Sequence, residues 1–223
     1  MSQEDAAPLS YAALKTKQRL LRDGFPVSLG LRTHRALSWL QRAERETDDD
    51  DVRFILLWIG FNAAYAADLR TTPHGQRDAF ADYFRTLIDL DPEGRIHALI
   101  WTRFPMEISL LLENKYVFAP FWSHHNGVPG NADWEKRLAD SQVISRRALE
   151  RQDTCKVLSI VFDRLYVLRN QILHGGATWN SSVNRNQVHD GADVLGWLLP
   201  VFIDIMLDHG EHDWGPPYYP ALP

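Results

Sequence analysis

The stretch Asp153–Gly176, DTCKVLSIVFDRLYVLRNQILHGG, limits what this chain can become more than any other. Leu158, Val161, Phe162, Leu165, Leu168 and Ile172 recur at the helical period and form one apolar stripe. Asp153 or Thr154 can cap the start, and Gly175-Gly176 suits a left-handed stop. The spacing predicts a helix of about six turns. Arg169 falls at the edge of the stripe, where a cation needs a partner or a wet cleft, since an unpaired core charge costs several kcal/mol. Asn170 and His174 are four residues apart and share a face. Ile160, Val167 and Leu173 lie off the main stripe, so this helix is expected to pack on its own bundle and on a second chain.

The rest of the chain repeats the helical period. Helices are expected over about 10–22, 28–46, 51–69, 76–90, 95–114 (divided at Pro105), 131–151 and 186–207. The acidic run Asp48–Asp51 reads as an N-terminal cap, its charge suited to the helix dipole. In VRFILLWIGFNAAYAADL the small residues Gly60, Ala63 and Ala64 admit another helix closely, and Asn62 is a polar group that burial would oblige to find a partner. Residues 116–130 are aromatic, hold Pro and Gly, and are expected to be irregular. No strand alternation or repeat is visible. The expected class is all-α, an antiparallel helical bundle in a single domain with its core over about 30–207. Residues 1–25 and 75–130 would be elaborations, and 208–223 an extended tail.

Composition narrows function by exclusion. Of 223 residues, 45% are hydrophobic and 24% charged, which is ordinary for a globular chain. A net charge of −5 argues against a protein that grips long nucleic acid everywhere, so any RNA contact must be local. Even the 131–176 region carries eight basic against six acidic residues, only +2. One cysteine, Cys155, excludes an internal disulfide framework and fits a reducing cytoplasm. No apolar run is long enough to span a bilayer. Phosphate-loop, paired-cysteine, His-Glu-x-x-His, Glu-x-x-His and G-x-S-x-G patterns are all missing. His124-His125 and the Asp208–Asp213 cluster have ligand chemistry but no spacing that fixes four ligands.

With Arg169, Asn170 and His174 gathered at the end of an apolar helix, as RNQILHGG, the sequence resembles the HEPN superfamily. Those small all-α domains are marked by Arg, four to six residues, then His. WIGFNAAY (Trp58–Tyr65) is similar to the second helix of many bacterial members. The resemblance implies metal-independent RNA cleavage without a cofactor, at a cleft built by a homodimer from two copies of the motif. It assigns His174 to proton transfer, Arg169 to the scissile phosphate, and Asn170 to orienting His174 or donating to phosphate. These roles suit the residues: histidine exchanges protons near neutral pH, and guanidinium is a permanent forked donor. Asn62 and Arg164 are candidate substrate contacts. A bacterial defence or toxin–antitoxin role in the cytoplasm, with an antitoxin protein as possible partner, is part of the same expectation. Some toxin members carry Tyr two residues after the His; Gly176 stands there, against that particular pairing. The alternatives are a non-catalytic HEPN-like module binding nucleotide, RNA or a protein, and a metal-dependent enzyme using the terminal His/Asp cluster.

Overall fold

A computed structural model describes residues 8–65 and 75–220, with side chains of the second segment described from Phe80 onward. The described residues form ten α-helices and no strand, an all-α fold. They are α1 (Tyr11–Leu21), α2 (Val27–Ala43), α3 (Asp50–Tyr65), α4 (Gly75–Asp89), α5 (Arg95–Ala98), α6 (Pro105–Glu113), α7 (Ala119–His125), α8 (Trp134–Glu150), α9 (Thr154–Leu173) and α10 (Arg185–Asp208). Residues 66–69 of the third expected helix lie outside the described residues. Among the described residues no helix is long and apolar enough to cross a membrane.

Local sequence sets most boundaries. Asp49 Oδ1 accepts the Val52 amide at 3.0 Å and starts α3, as the acidic run suggests. Between α5 and Pro105 the chain widens into a π turn over Leu99–Arg103, because proline has no amide to continue an α-helical ladder. The 116–130 region differs from expectation: a 3-10 turn (Lys115–Val117) leads into α7. Pro120 suits a first helical turn, and Phe121 is buried with its ring edge-on to Trp134, 5.0 Å between centroids. Tertiary burial thus outweighs weak local propensity.

The core forms where α3, α4, α9 and α10 meet. Phe61 is fully buried among Trp58, Tyr65, Phe80, Tyr83, Phe84, Phe162 and Phe202, the closest centroid at 4.5 Å. Two glycines let backbones approach. A Cβ on Gly60 would stand 2.8 Å from Leu199 Cδ2 and 3.5 Å from the Ala36 carbonyl, and one on Gly191 would meet Leu165, Phe54 and Leu168 within 3.3 Å. α10 can therefore nest against α3 and α9.

Paired charges attach the periphery. Lys17 of α1 reaches Asp204 and Asp208 at 2.6 Å, and Arg95 joins the same carboxylates together with Asp91. Leu14 of α1 is 1% exposed, so α1, expected as an elaboration, contributes to the core. Arg32 is buried and donates to the carbonyls of Ala64, Gly215 and Pro216, which ties the C-terminal segment to α2 and α3.

Candidate functional site

α9 is built as its sequence implies. Asp153 Oδ1 accepts the Lys156 amide at 3.0 Å. Leu158, Phe162, Leu165 and Leu168 point into the core, at most 1% exposed. At the far end His174 is the C-cap: the Gly176 amide bonds to Gln171 O at 2.7 Å and the Gly175 amide to Ile172 O at 3.3 Å. With Gly175 at φ +70° this is a Schellman stop, a conformation that disfavours any residue with a Cβ. The motif consequently sits where the helix ends and its surface begins. Arg169 and Asn170 are half-buried, His174 is exposed, and Leu173 between them is 49% exposed.

Arg169 donates from Nη1 to Asn170 Oδ1 at 2.8 Å, and its Nε is buried with no hydrogen-bond partner. The partner of its Nη1 is thus a neutral amide on the next residue of the same helix. An unmet buried donor costs on the order of 1–3 kcal/mol, so this Nε calls for a partner. Asn170 orients the guanidinium of Arg169; its Oδ1 is committed there rather than to His174.

The two candidate substrate contacts lie apart from this cluster. Arg164 is 3% exposed, donates to Ser141 Oγ at 2.9 Å and Leu112 O at 3.4 Å, and stacks over Phe118 with its guanidinium carbon 4.6 Å from the ring centre. It ties α6, α8 and the 115–118 turn to α9, and burial leaves it no face for a phosphate. Asn62 lies seven residues beyond Ile55 on α3, about 10 Å further along at 1.5 Å per residue. α3 runs antiparallel to α9: Ile55 shares a cleft with Ile172, while Trp58 packs on Phe162 and Tyr166. Asn62 therefore lies further along the pair, away from Ile172 and the end of α9.

Beside the motif lies a cleft of about 300 Å³, lined by Asp51, Val52, Ile55, Leu56, Ile172, Ala177, Thr178, Trp179 and Asn184. The 175–184 loop is strapped across the start of α3. Trp179 Nε1 donates to Asp49 Oδ2 at 2.8 Å, the Asn180 amide donates to Asp51 Oδ2 at 3.2 Å, and Arg185 Nη1 donates to the same Asp51 oxygen at 2.7 Å. Slight desolvation pushes the Asp49 carboxyl up, but the bonds from Val52 and Trp179 outweigh it and hold it below its ordinary value. Trp179, Asn184 and Arg185 were not singled out by the sequence. Their only signal is an aromatic residue in an otherwise polar loop.

A second clamp joins α3 to α10. His189 Nδ1 stands 2.8 Å from Asp50 Oδ2, its Nε2 3.5 Å from Asp193 Oδ2, and Arg53 bridges Asp193 and Asp50. The hydrogen bond with Asp50 raises the His189 pKa above 6.5, despite some desolvation, and Asp193 and Asp190 add to the rise. A histidine whose folded pKa is raised stabilises fully below its unfolded value and loses that contribution as pH rises through the folded one. Urea unfolding of wild type and His189→Gln is expected to show a stability gap at about pH 5.5 that narrows by about pH 8.5. A gap independent of pH contradicts the assignment.

No three His, Cys, Asp or Glu side chains among the described residues are grouped to hold a metal. His125 packs on Phe121 and Trp134, His212 on Trp214, and His209 Nδ1 contacts Ile205 O. Compared with family models, curated proteins and solved structures, the chain has no match.

Proposed function

We propose that the protein is a metal-independent endoribonuclease acting as a homodimer whose two α9 ends share one cleft. The observation that carries this reading is Arg169: a half-buried guanidinium, oriented by Asn170, with an unmet buried donor, five residues before the exposed His174. The apolar surface around it supports self-association, since Leu173, next to His174, is 49% exposed.

In this reading one His174 imidazole removes the proton of a ribose 2′-hydroxyl. O2′ attacks the adjacent phosphorus, and the bond to O5′ breaks. The His174 of the other copy, as imidazolium, protonates the departing O5′. Arg169 donates to the non-bridging oxygens, whose negative charge grows in the transition state. The products are a 2′,3′-cyclic phosphate and a 5′-hydroxyl. A role in bacterial defence or as the toxin of a toxin–antitoxin pair, in the cytoplasm, belongs to the same proposal.

Analysis of product ends after incubating RNA with purified protein in EDTA tests the reaction. Cyclic phosphate ends are expected. RNA that binds and stays intact would leave the non-catalytic module as the function.

A further inference from the structure

We propose that the cleft between α3, α9 and the 175–184 loop is a nucleobase subsite, with Trp179 as its stacking face and Asn184 as its reading group. The choice of ligand rests on the nuclease reading; the cleft itself does not.

Trp179 is 73% exposed although it lines the cleft. Its indole is not mobile surface, because Nε1 is fixed to Asp49 Oδ2 at 2.8 Å through one edge, which leaves the ring face open. An indole held by a dedicated hydrogen bond is a pre-positioned platform on which a base can stack without ordering the side chain first. The aliphatic wall of Ile55, Leu56 and Ile172 offers a flat heterocycle the rest of its contact. The volume, about 300 Å³, falls at the small end of the roughly 300–1,000 Å³ range of small-molecule sites.

The unmet polar atom of the cleft is an acceptor, beside a Thr178 hydroxyl that can serve either way. Asn184 Oδ1 is buried without a hydrogen-bond partner, although Asn184 caps α10, where its side chain makes no capping bond. Asp51 presents a carboxylate at the same rim. An unmet acceptor beside a carboxylate calls for a donor edge. Adenine offers its exocyclic amine, whereas the single N–H of uracil lies between two carbonyls that would face Asp51 and Asn184. The subsite therefore favours amino-bearing bases over uracil. Ile172 and Ala177, which line the cleft, flank His174 in the chain.

Full-length His174→Ala protein, titrated with fluorescent short single-stranded RNAs of adenosine or uridine while sedimentation follows its oligomeric state, tests the inference. The adenosine strand is expected to bind at least about five-fold tighter than the uridine strand. Adding Trp179→Ala weakens adenosine binding about ten-fold, within the range of base–aromatic stacking. Asn184→Leu removes the preference between the two strands, and Asn184→Asp retains it. Adenosine binding within about two-fold of the parent in the Trp179→Ala variant overturns the inference. Conversion of that variant to monomers with unchanged affinity per chain also overturns it, because Trp179 would then belong to a contact between copies. If wild type does not cleave RNA while Trp179-dependent, adenosine-selective binding persists, the nuclease reading falls and the base subsite stands.

Discussion

His174→Ala and Arg169→Ala are each expected to abolish EDTA-resistant RNA cleavage. General acid–base catalysis contributes about 10²–10⁴-fold. In a composite site both the base and the acid are copies of His174, so one substitution removes both and the loss should reach the upper end of that range. Removing one pre-organised donor to developing charge costs about 10²–10³-fold, which sets the expectation for Arg169→Ala. Arg169→Lys should recover only part of this, since it restores the charge but not the planar fork that Asn170 orients. Neither side chain is in the core, so thermal unfolding should stay close to wild type. Full cleavage by both alanine variants in EDTA would remove these residues from the reaction.

Phe61→Ala is expected to be the most damaging single change to stability. The ring is completely buried and lies in centroid contact with seven other aromatic rings from α3, α4, α9 and α10. Truncating a buried Phe to Ala costs about 3–5 kcal/mol, against a total stability of about 5–15 kcal/mol for a typical domain. Aromatic pairing adds about 0.5–1.5 kcal/mol per pair beyond burial, which places this site at the upper end. The denaturant midpoint should fall sharply, and Phe61→Leu should restore most of it. Leu173→Ala is the contrast: its side chain is half exposed, so monomer stability should barely change while self-association weakens. An unmoved midpoint in Phe61→Ala would show that the core is organised around another residue.

The contrast between Arg169 and Arg164 shows how far the sequence can be read. α9 was legible because its determinants are local: a capping Asp153, an apolar period, and a glycine pair that forms the Schellman stop. The placement of Arg169 at the stripe edge followed from the same wheel. Arg164 did not follow, because its burial depends on Ser141, Leu112 and Phe118, brought to it by three other elements. Asn62 was similarly opaque. Its helix was evident, but the direction of α3 against α9 decides which end of the pair it reaches. Trp179 and Asn184 became visible only when the loop was seen strapped to Asp49 and Asp51, more than 120 residues away in the chain. The 116–130 region misled for the reverse reason: its prolines and glycines suggested irregularity, while burial of Phe121 selects a short helix.

The measurement that bears most directly on the shared cleft is crosslinking at the motif itself. His174→Cys in a Cys155→Ser background, treated with a short bismaleimide, should give a covalent dimer. The same treatment of Arg19→Cys, on the exposed face of α1 and remote from the end of α9, should not. A linked dimer at 174 alone is what two joined helix ends require. A protein that dimerises yet crosslinks at neither position, or that sediments as a monomer at all concentrations, would contradict a site made from two copies of Arg169 and His174.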